Sequence, residues 1–333
     1  MMDALVWLGP ERLELQHIPD PVARAGEALL RVEAAGICGS EVEGYLGRQA
    51  NRTPPLVMGH EFAGAVTAVG AGVDAGWIGR RVTVNPLLSC GECPACRSGK
   101  RNVCERRQLI GLHRPGGYGT LVAVPVAALV GLPDGLDARL AALAEPLANG
   151  VHAVRLGTLR GVPESAIVIG AGTIGLAALQ AARAAGIARV AVAEPHAGRR
   201  AQAAALGATE TAASAEDITD PAALVIDAVG RTETRARGIA LTRAAGTFVV
   251  IGLHADAVPV SFHDLIRREI AIQGSYAYSD EDFATALRWL AEGRAGIGPL
   301  ELVRPLSAGP AAFAELARGA TDAIKIFIGG NAP

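Results

Sequence analysis

The alternation of apolar and polar positions changes character once along the chain. From Asp3 to about Val130 it runs in short β-branched or alternating stretches broken by glycine and proline, as at 28–33, 64–69 and 79–84. Period-two runs of this length, punctuated by turn formers, predict an irregular β-rich unit. After Asp137, apolar runs alternate with alanine-rich stretches of helical period. Strands are predicted at 166–169, 189–193, 224–228 and 247–251, with helices at about 173–185, 199–206 and 232–241. Such alternation means a parallel sheet covered by helices, so the fold class is α/β. From about Gly296 short strands return, and the run 323–328 has the pattern of a strand joining a sheet formed earlier. The organisation this predicts is a β-rich domain over 1–150 with 289–333, and a second domain over 151–288.

Length agrees, since 333 residues fit two domains of roughly 100–200 residues each. Half the residues are apolar, 19% are charged and the net charge is −2, which excludes a disordered chain and gives no electrostatic reason to expect nucleic acid. The longest uncharged stretch, 165–182, contains Gly170, Gly172, Gly175 and Gln180, so no membrane span is expected. Five cysteines, an odd number, and an N-terminus that leads straight into Asp3, Glu11 and Arg12 predict a cytoplasmic protein. Among 31 basic residues only Lys100 and Lys325 are lysines, a compositional bias that makes the arginines weak pointers to an anion site.

The most specific motif follows the strand predicted at 166–169. Gly170, Gly172 and Gly175 form G-x-G-x-x-G at the start of a helix, with Thr173 and Ile174 in its first turn. The first glycine permits a tight turn, the second lets backbone approach a pyrophosphate, and the third lets helix pack on strand. Glu194 comes 19 residues after Gly175, at the end of the next strand, where a carboxylate receives ribose hydroxyls and repels a 2′-phosphate. NAD is therefore favoured over NADP. Arg199, which could stack on adenine or receive that phosphate, and Gly252, after the strand at 247–251, complete the candidate cofactor contacts.

Cys90, Cys93, Cys96 and Cys104 are spaced C-x2-C-x2-C-x7-C in a loop rich in glycine and proline. Four thiolates this close can close a tetrahedral shell around zinc with no open position, a structural site. An iron–sulfur centre would also use four cysteines, but the long last spacing and the absence of proline after Cys104 oppose it. Two disulfides are the blander alternative, disfavoured in a reducing compartment. The fifth cysteine, Cys38, is followed 22 residues later by His60, with Glu61 beside it. A thiolate, an imidazole and a carboxylate suit an open, catalytic zinc, and Glu145, just before the α/β segment, is the candidate third ligand. Singly, each of these residues is as well explained as a packed or hydrogen-bonded core group.

Together, Gly36–Ser40, Gly59–Glu61, the four cysteines, Glu145–Leu147, Gly170–Gly175 and Ile270–Ser275 resemble the zinc-dependent medium-chain dehydrogenases over essentially the whole chain. The resemblance is to their polyol branch: sorbitol, galactitol-phosphate, threonine and cyclitol dehydrogenases. It implies a GroES-like catalytic domain, a Rossmann cofactor domain and a cleft between them for nicotinamide and zinc. Two zinc ions per chain are implied, one structural and one catalytic, the latter held by Cys38, His60 and Glu145 with Glu61 nearby, and Ser40 bonding the substrate oxygen and passing on its proton. Zinc would act as a Lewis acid on a secondary hydroxyl of a polyol, cyclitol or sugar phosphate while hydride passes to NAD. Glu41 stands where the family usually has an aspartate supporting the histidine, Glu43 where many members have a relay histidine, and Gly116–Leu121 departs from the family pattern. Arg48, Arg52, His113 and Arg114 are candidates to grip substrate hydroxyls or a phosphate. The remaining expectations are a small-molecule alcohol or ketone as substrate, no nucleic acid or membrane partner, and a homodimer or homotetramer formed through strands near 270–275. A simple secondary-alcohol dehydrogenase, a zinc-free alkene reductase and a non-catalytic dinucleotide-binding protein are the alternatives.

Overall fold

The computed structural model describes all residues except 50, 299, 320, 322 and 330–333. The chain forms two compact units, one of Met1–Glu145, Leu290–Glu292 and Pro299–Pro333, the other of Pro146–Trp289 and Gly293–Gly298.

The first unit is β-rich and is organised on the strand Glu27–Gly36. Its alternate residues Ala28, Leu30 and Val32 are buried while Arg31 between them is exposed, the period of a half-buried strand. It pairs antiparallel with Glu61–Val69, with Leu121–Pro125 and with Phe327–Gly329. Ala28, Leu30, Val32, Phe62, Val122, Val124, Phe313 and Ile328 fill the core beneath this sheet. The strand expected over 323–328 is shorter than its apolar pattern, with Phe327 opposite Gly36 and Ile328 opposite Ala35. Lys325 interrupts the run: it turns into the interior toward Glu61, and a buried ammonium needs such a partner. Burial of Ile326, Phe327 and Ile328, each contributing about 1.5–3 kcal/mol, fixes this C-terminal segment in the sheet.

Helix Gly39–Tyr45 and the segment Leu56–Glu61 carry the residues of chemical interest in this unit. Gly59 has φ of +102°, and a Cβ there would lie 2.8 Å from the backbone nitrogen of Tyr118. Only glycine lets the turn before His60 run this close to residues 116–118, which bond back to it through Gly117 N to Gly59 O at 2.8 Å and Tyr118 N to Met58 O at 3.0 Å.

The second unit is a six-stranded parallel sheet in the order Glu210–Ala212, Arg189–Ala193, Ser165–Ile169, Ala222–Asp227, Thr242–Val250, Ala271–Gly274. Counted along the chain this is 3-2-1-4-5-6, the doubly wound dinucleotide-binding order. Strand order reverses between Ser165–Ile169 and Ala222–Asp227, so a crevice opens at their carboxyl ends. Ser165–Ile169 is buried along its whole length, as a central parallel strand must be. The fold class is α/β, a β-rich unit with a doubly wound parallel sheet, as the alternation of patterns implied; the resemblance had added that the first is GroES-like and the second a Rossmann domain.

Candidate active site and dinucleotide cradle

The ligand atoms of Cys38, His60 and Glu61 all lie within 4.8 Å of one another. Cys38 caps the N-terminus of helix Gly39–Tyr45, and His60 and Glu61 sit where the chain leaves the Gly59 turn to enter the next strand. Cys38 is half-buried, whereas His60 and Glu61 are buried. Ser40 Oγ donates to Cys38 Sγ at 3.3 Å.

Glu41 is completely buried and organises the group. Its Oε1 accepts from His60 Nδ1 and from the Gly59 backbone nitrogen, both at 2.8 Å. Its Oε2 accepts from the Cys38 backbone nitrogen at 3.2 Å, which closes the helix cap, and from the Tyr118 hydroxyl. Burial by itself would raise the Glu41 pKa. The charge and hydrogen bond of His60, the Arg52 guanidinium and the Tyr118 hydroxyl outweigh it and bring the value down to about 2. Burial pushes His60 down, but the Glu41 carboxylate and Cys38 hold it well above its ordinary value, and burial together with the Glu41 charge keeps the Tyr118 hydroxyl protonated. The ionised Glu41 accepts a hydrogen bond from Nδ1–H, which leaves Nε2 as the ring nitrogen that a metal would take in place of a proton.

Glu61 has a different partner. Lys325 Nζ lies 2.7 Å from its Oε2 and 2.9 Å from its Oε1, and 3.0 Å from the Ile37 carbonyl oxygen. Glu145, in the first turn of helix Ala144–Gly157, is buried and near enough for its charge to raise the Lys325 pKa, although it lies outside the set whose ligand atoms fall within 4.8 Å. A thiolate, an oriented imidazole and neighbouring carboxylates are the donor set of a zinc site with an open position.

The four cysteines also converge within 4.8 Å. Sulfur separations are 3.5 Å for Cys93–Cys96, 3.4 Å for Cys90–Cys104 and 3.9 Å for Cys90–Cys96. Four sulfurs each about 2.3 Å from one zinc stand about 3.8 Å apart at the corners of a tetrahedron. A disulfide needs about 2.05 Å. Backbone N–H groups of Glu92 and Cys93 aim at the Cys90 sulfur and lower its pKa to about 6, whereas burial and the neighbouring thiols push Cys96 up to about 11, so the metal-free cluster favours the thiolate at Cys90 and the thiol at Cys96.

The glycine loop has the form its motif required. Gly170 has φ of +94°, and a Cβ on Gly175 would meet the Gly170 carbonyl oxygen at 1.8 Å, so helix Thr173–Ala184 packs on the loop only with glycine there. Beside Gly172, the residue before the helix, there is open space. Glu194 Oε2 accepts from Ala171 N at 2.8 Å and its Oε1 from His196 N at 2.9 Å, which ties the carboxylate to the loop. Arg199 Nε is buried without a hydrogen-bond partner, as suits a side chain that faces a ligand. Gly252 lies against the turn after Asp227: its backbone nitrogen donates to Asp227 O at 3.0 Å, and its carbonyl accepts from Arg235. Glycine-lined space, an anchored carboxylate and an orphaned buried guanidinium nitrogen fit a dinucleotide.

Sequence reasoning gave no role to two side chains at this site, Lys325 and Tyr118, and a different one to a third, Arg52. Lys325 was legible only as one of two lysines, a charge inside an apolar run. The signal for Tyr118 was the unusual 116–121 segment, and nothing in the sequence gave its hydroxyl a partner. Arg52, a candidate substrate grip, instead bonds Gln49 Oε1 and the carbonyls of Gly111 and Ser40, satisfying buried acceptors. Arg48 pairs with Glu43, Arg114 pairs with Glu27, and His113 Nδ1 accepts from Leu109 N. A groove of about 710 Å³ is lined by Gln16, Asn51, Thr53, Gln108 and His113 among others, but by none of Cys38, His60 and Glu61.

A parallel sheet with a dinucleotide fingerprint and, in the same chain, a β-rich unit with two candidate metal clusters define a metal-dependent oxidoreductase. Residues 24–134 match the alcohol dehydrogenase GroES-like domain, and residues 173–292 match the zinc-binding dehydrogenase family. The chain is 36% identical to L-galactonate-5-dehydrogenase of Escherichia coli K12 over 304 residues, 88% of each chain. Its structure is similar to that of galactitol-1-phosphate dehydrogenase from Escherichia coli, with a TM-score of 0.88, 26% identity, and coverage of 98% of this chain and 100% of the other. An alcohol dehydrogenase from Escherichia coli CFT073, solved in complex with NADH, has a TM-score of 0.90 and 27% identity over 98% of this chain and 99% of the other. The chain belongs to the zinc-binding, GroES-like alcohol dehydrogenase family. It is an NAD(P)-dependent dehydrogenase whose cofactors are zinc and a nicotinamide dinucleotide. No helix among the described residues is long and apolar enough to cross a membrane.

Proposed function

We propose that this enzyme oxidises a secondary hydroxyl of a polyol, cyclitol or sugar phosphate, with NAD as the preferred acceptor, at a zinc held by Cys38, His60 and Glu145. The observation that carries the reading is the convergence of Cys38, His60 and Glu61 around an imidazole whose Nδ1 is held by Glu41. Glu61 is the nearby carboxylate in this reading, because Lys325 bonds both of its oxygens and weakens it as a ligand. A zinc held there would supply a Lewis acid for a substrate hydroxyl, and a bound nicotinamide would supply the hydride acceptor. Ser40, whose hydroxyl touches the Cys38 sulfur, takes the hydroxyl proton and begins its route to solvent. Gly170, Gly172, Thr173, Ile174, Gly175 and Gly252 line the dinucleotide's place, Glu194 receives its ribose hydroxyls, and Arg199 flanks the adenine. Cys90, Cys93, Cys96 and Cys104 hold the structural zinc.

The names of the relatives, which act on a sugar acid or a polyol phosphate, support this substrate class. The reading assigns the domains as 1–150 with 289–333 and 151–288. A cytoplasmic setting is part of the reading and rests on the odd number of cysteines in the sequence. Homo-oligomerisation is supported by the edge strand Ala271–Gly274, whose Ile272 is exposed, and by exposed Phe262 and Ile266 on the preceding helix.

The test is metal content per chain before and after mild chelation, followed by an NAD-coupled screen of polyols, cyclitols, sugar acids and their phosphates. Two zinc ions, one labile and required for turnover, with Cys38→Ser inactive but binding NAD normally, is the expected result. A single zinc that resists chelation in a protein that still binds dinucleotide would reduce it to a binding protein.

A further inference from the structure

We propose that the Tyr118 hydroxyl is a positioning group of the catalytic metal centre, acting through Glu41 to fix the ring of His60 and the backbone that carries Cys38. The inference rests on the reading of Cys38 and His60 as zinc ligands.

The two oxygens of Glu41 have separate tasks. Oε1 faces His60 Nδ1 and the Gly59 nitrogen, and Oε2 faces the Cys38 nitrogen and the Tyr118 hydroxyl. A glutamate carboxylate turns readily about its last torsion, and such a turn would carry Oε1 away from His60. Two donors hold Oε2 against such a turn, the Cys38 nitrogen at 3.2 Å and the Tyr118 hydroxyl, both in bonds assisted by the carboxylate's charge. Tyr118 is the one of the two that is a side chain, so its bond to Oε2 can be removed without touching the backbone.

The pin itself is rigid. Tyr118 is fully buried, its nitrogen donates to Met58 O at 3.0 Å, its carbonyl accepts from Leu5 N at 2.8 Å, and its ring meets Phe313 edge to face at a centroid distance of 5.8 Å. Packing alone would be served as well by phenylalanine, so the hydroxyl requires its own explanation. It also lies 3.0 Å from the Gly36 carbonyl oxygen, but a phenol has one proton, and an ionised carboxylate is the better acceptor. The bond network thus runs from Tyr118 to Glu41 and from there to both His60 and the Cys38 backbone, within the β-rich unit and with no exposed member among Tyr118, Glu41 and His60. A partner one step removed from a ligand sets ligand orientation and metal retention.

The test replaces zinc with cobalt in the full-length protein and compares wild type with Tyr118→Phe, which keeps the ring and removes only the hydroxyl. The visible spectrum and the rate of metal loss to a chelator report each site separately. The expected result is a shifted spectrum at the catalytic site and metal loss about 10–100-fold faster there. The four-cysteine site keeps its spectrum and rate. In a Glu41→Gln background the same substitution changes the loss rate by much less, because the path through Glu41 is already weakened. Two metals per chain with spectrum and loss rate unchanged in Tyr118→Phe would overturn the role of Tyr118 alone. Equal loosening of both sites would make Tyr118 an ordinary core residue and overturn it as well. Wild-type protein that takes up metal only at the four cysteines would overturn the ligand reading and this proposal with it.

Discussion

The Lys325 ammonium closes on both oxygens of the Glu61 carboxylate in a pocket that leaves the two side chains 3% and 1% exposed. Removing one member of such a pair strands the other as a buried charge, which costs about 3–5 kcal/mol. Lys325→Met should lower the urea unfolding free energy of the zinc-loaded protein by about that amount. The double variant Lys325→Met, Glu61→Gln should recover most of the loss. Equal losses in the single and double variants would mean that the pair is not the source of the effect.

In the dinucleotide unit, Asp282 binds His152 Nδ1 at 2.6 Å and Arg155 Nε at 2.8 Å, and the Ser279 nitrogen and hydroxyl bond it too. Burial would raise its pKa, but these donors overcome that and hold it well below the ordinary carboxylate range. A depressed folded-state pKa contributes stability that is fully present above the unfolded value of about 3.9 and is lost as pH falls toward the folded value. Asp282→Asn should therefore destabilise by about 1.5–3 kcal/mol at pH 7, with the gap from wild type narrowing below about pH 4. Unfolding midpoints measured from pH 7 to pH 3 check this, and a gap constant across that range would refute it.

Glu194 is anchored at both oxygens by backbone nitrogens, so its negative charge cannot swing away from an incoming 2′-phosphate. Glu194→Gln keeps the shape and removes the charge. The ratio of kcat/KM for NADP to that for NAD should rise about 10–100-fold, equivalent to about 1.4–2.8 kcal/mol. Steady-state kinetics with both cofactors measure it, and an unchanged ratio would place cofactor choice elsewhere, with Arg199 the next residue to vary.

Cys104 is fully buried among the other three thiols. Cys104→Ser should remove one of two metal equivalents and lower the Tm by roughly 5–10 °C. The remaining, labile metal should still support turnover. Loss of both metals together would mean that the two sites fold as one.

The glycine fingerprint, the four-cysteine spacing and the switch from period-two runs to strand–helix alternation were legible in the sequence, because each depends on contacts between residues near one another in the chain. A strand followed by Gly170, Gly172 and Gly175 makes its turn wherever it occurs, and cysteines within fifteen residues can reach one metal without help from the rest of the fold. Cys38, His60, Glu61 and Glu145 lie far apart in the chain and were picked out as a set only because their order matched a family, which does not say how they are arranged. That was decided by tertiary structure. Glu61 meets Lys325 across 264 positions, and Tyr118 meets Glu41 across 77, because the strand Glu27–Gly36 pairs on its two sides with segments from distant parts of the chain. Arg52 likewise looked like a free cation and proved to be bound to the buried carbonyls of Ser40 and Gly111, which only the folded chain brings within its reach. Hydrophobic pattern specifies which face of a strand is buried; it carries no record of which buried polar group will need which distant partner, and that need is what assigned Lys325, Tyr118 and Arg52 their places.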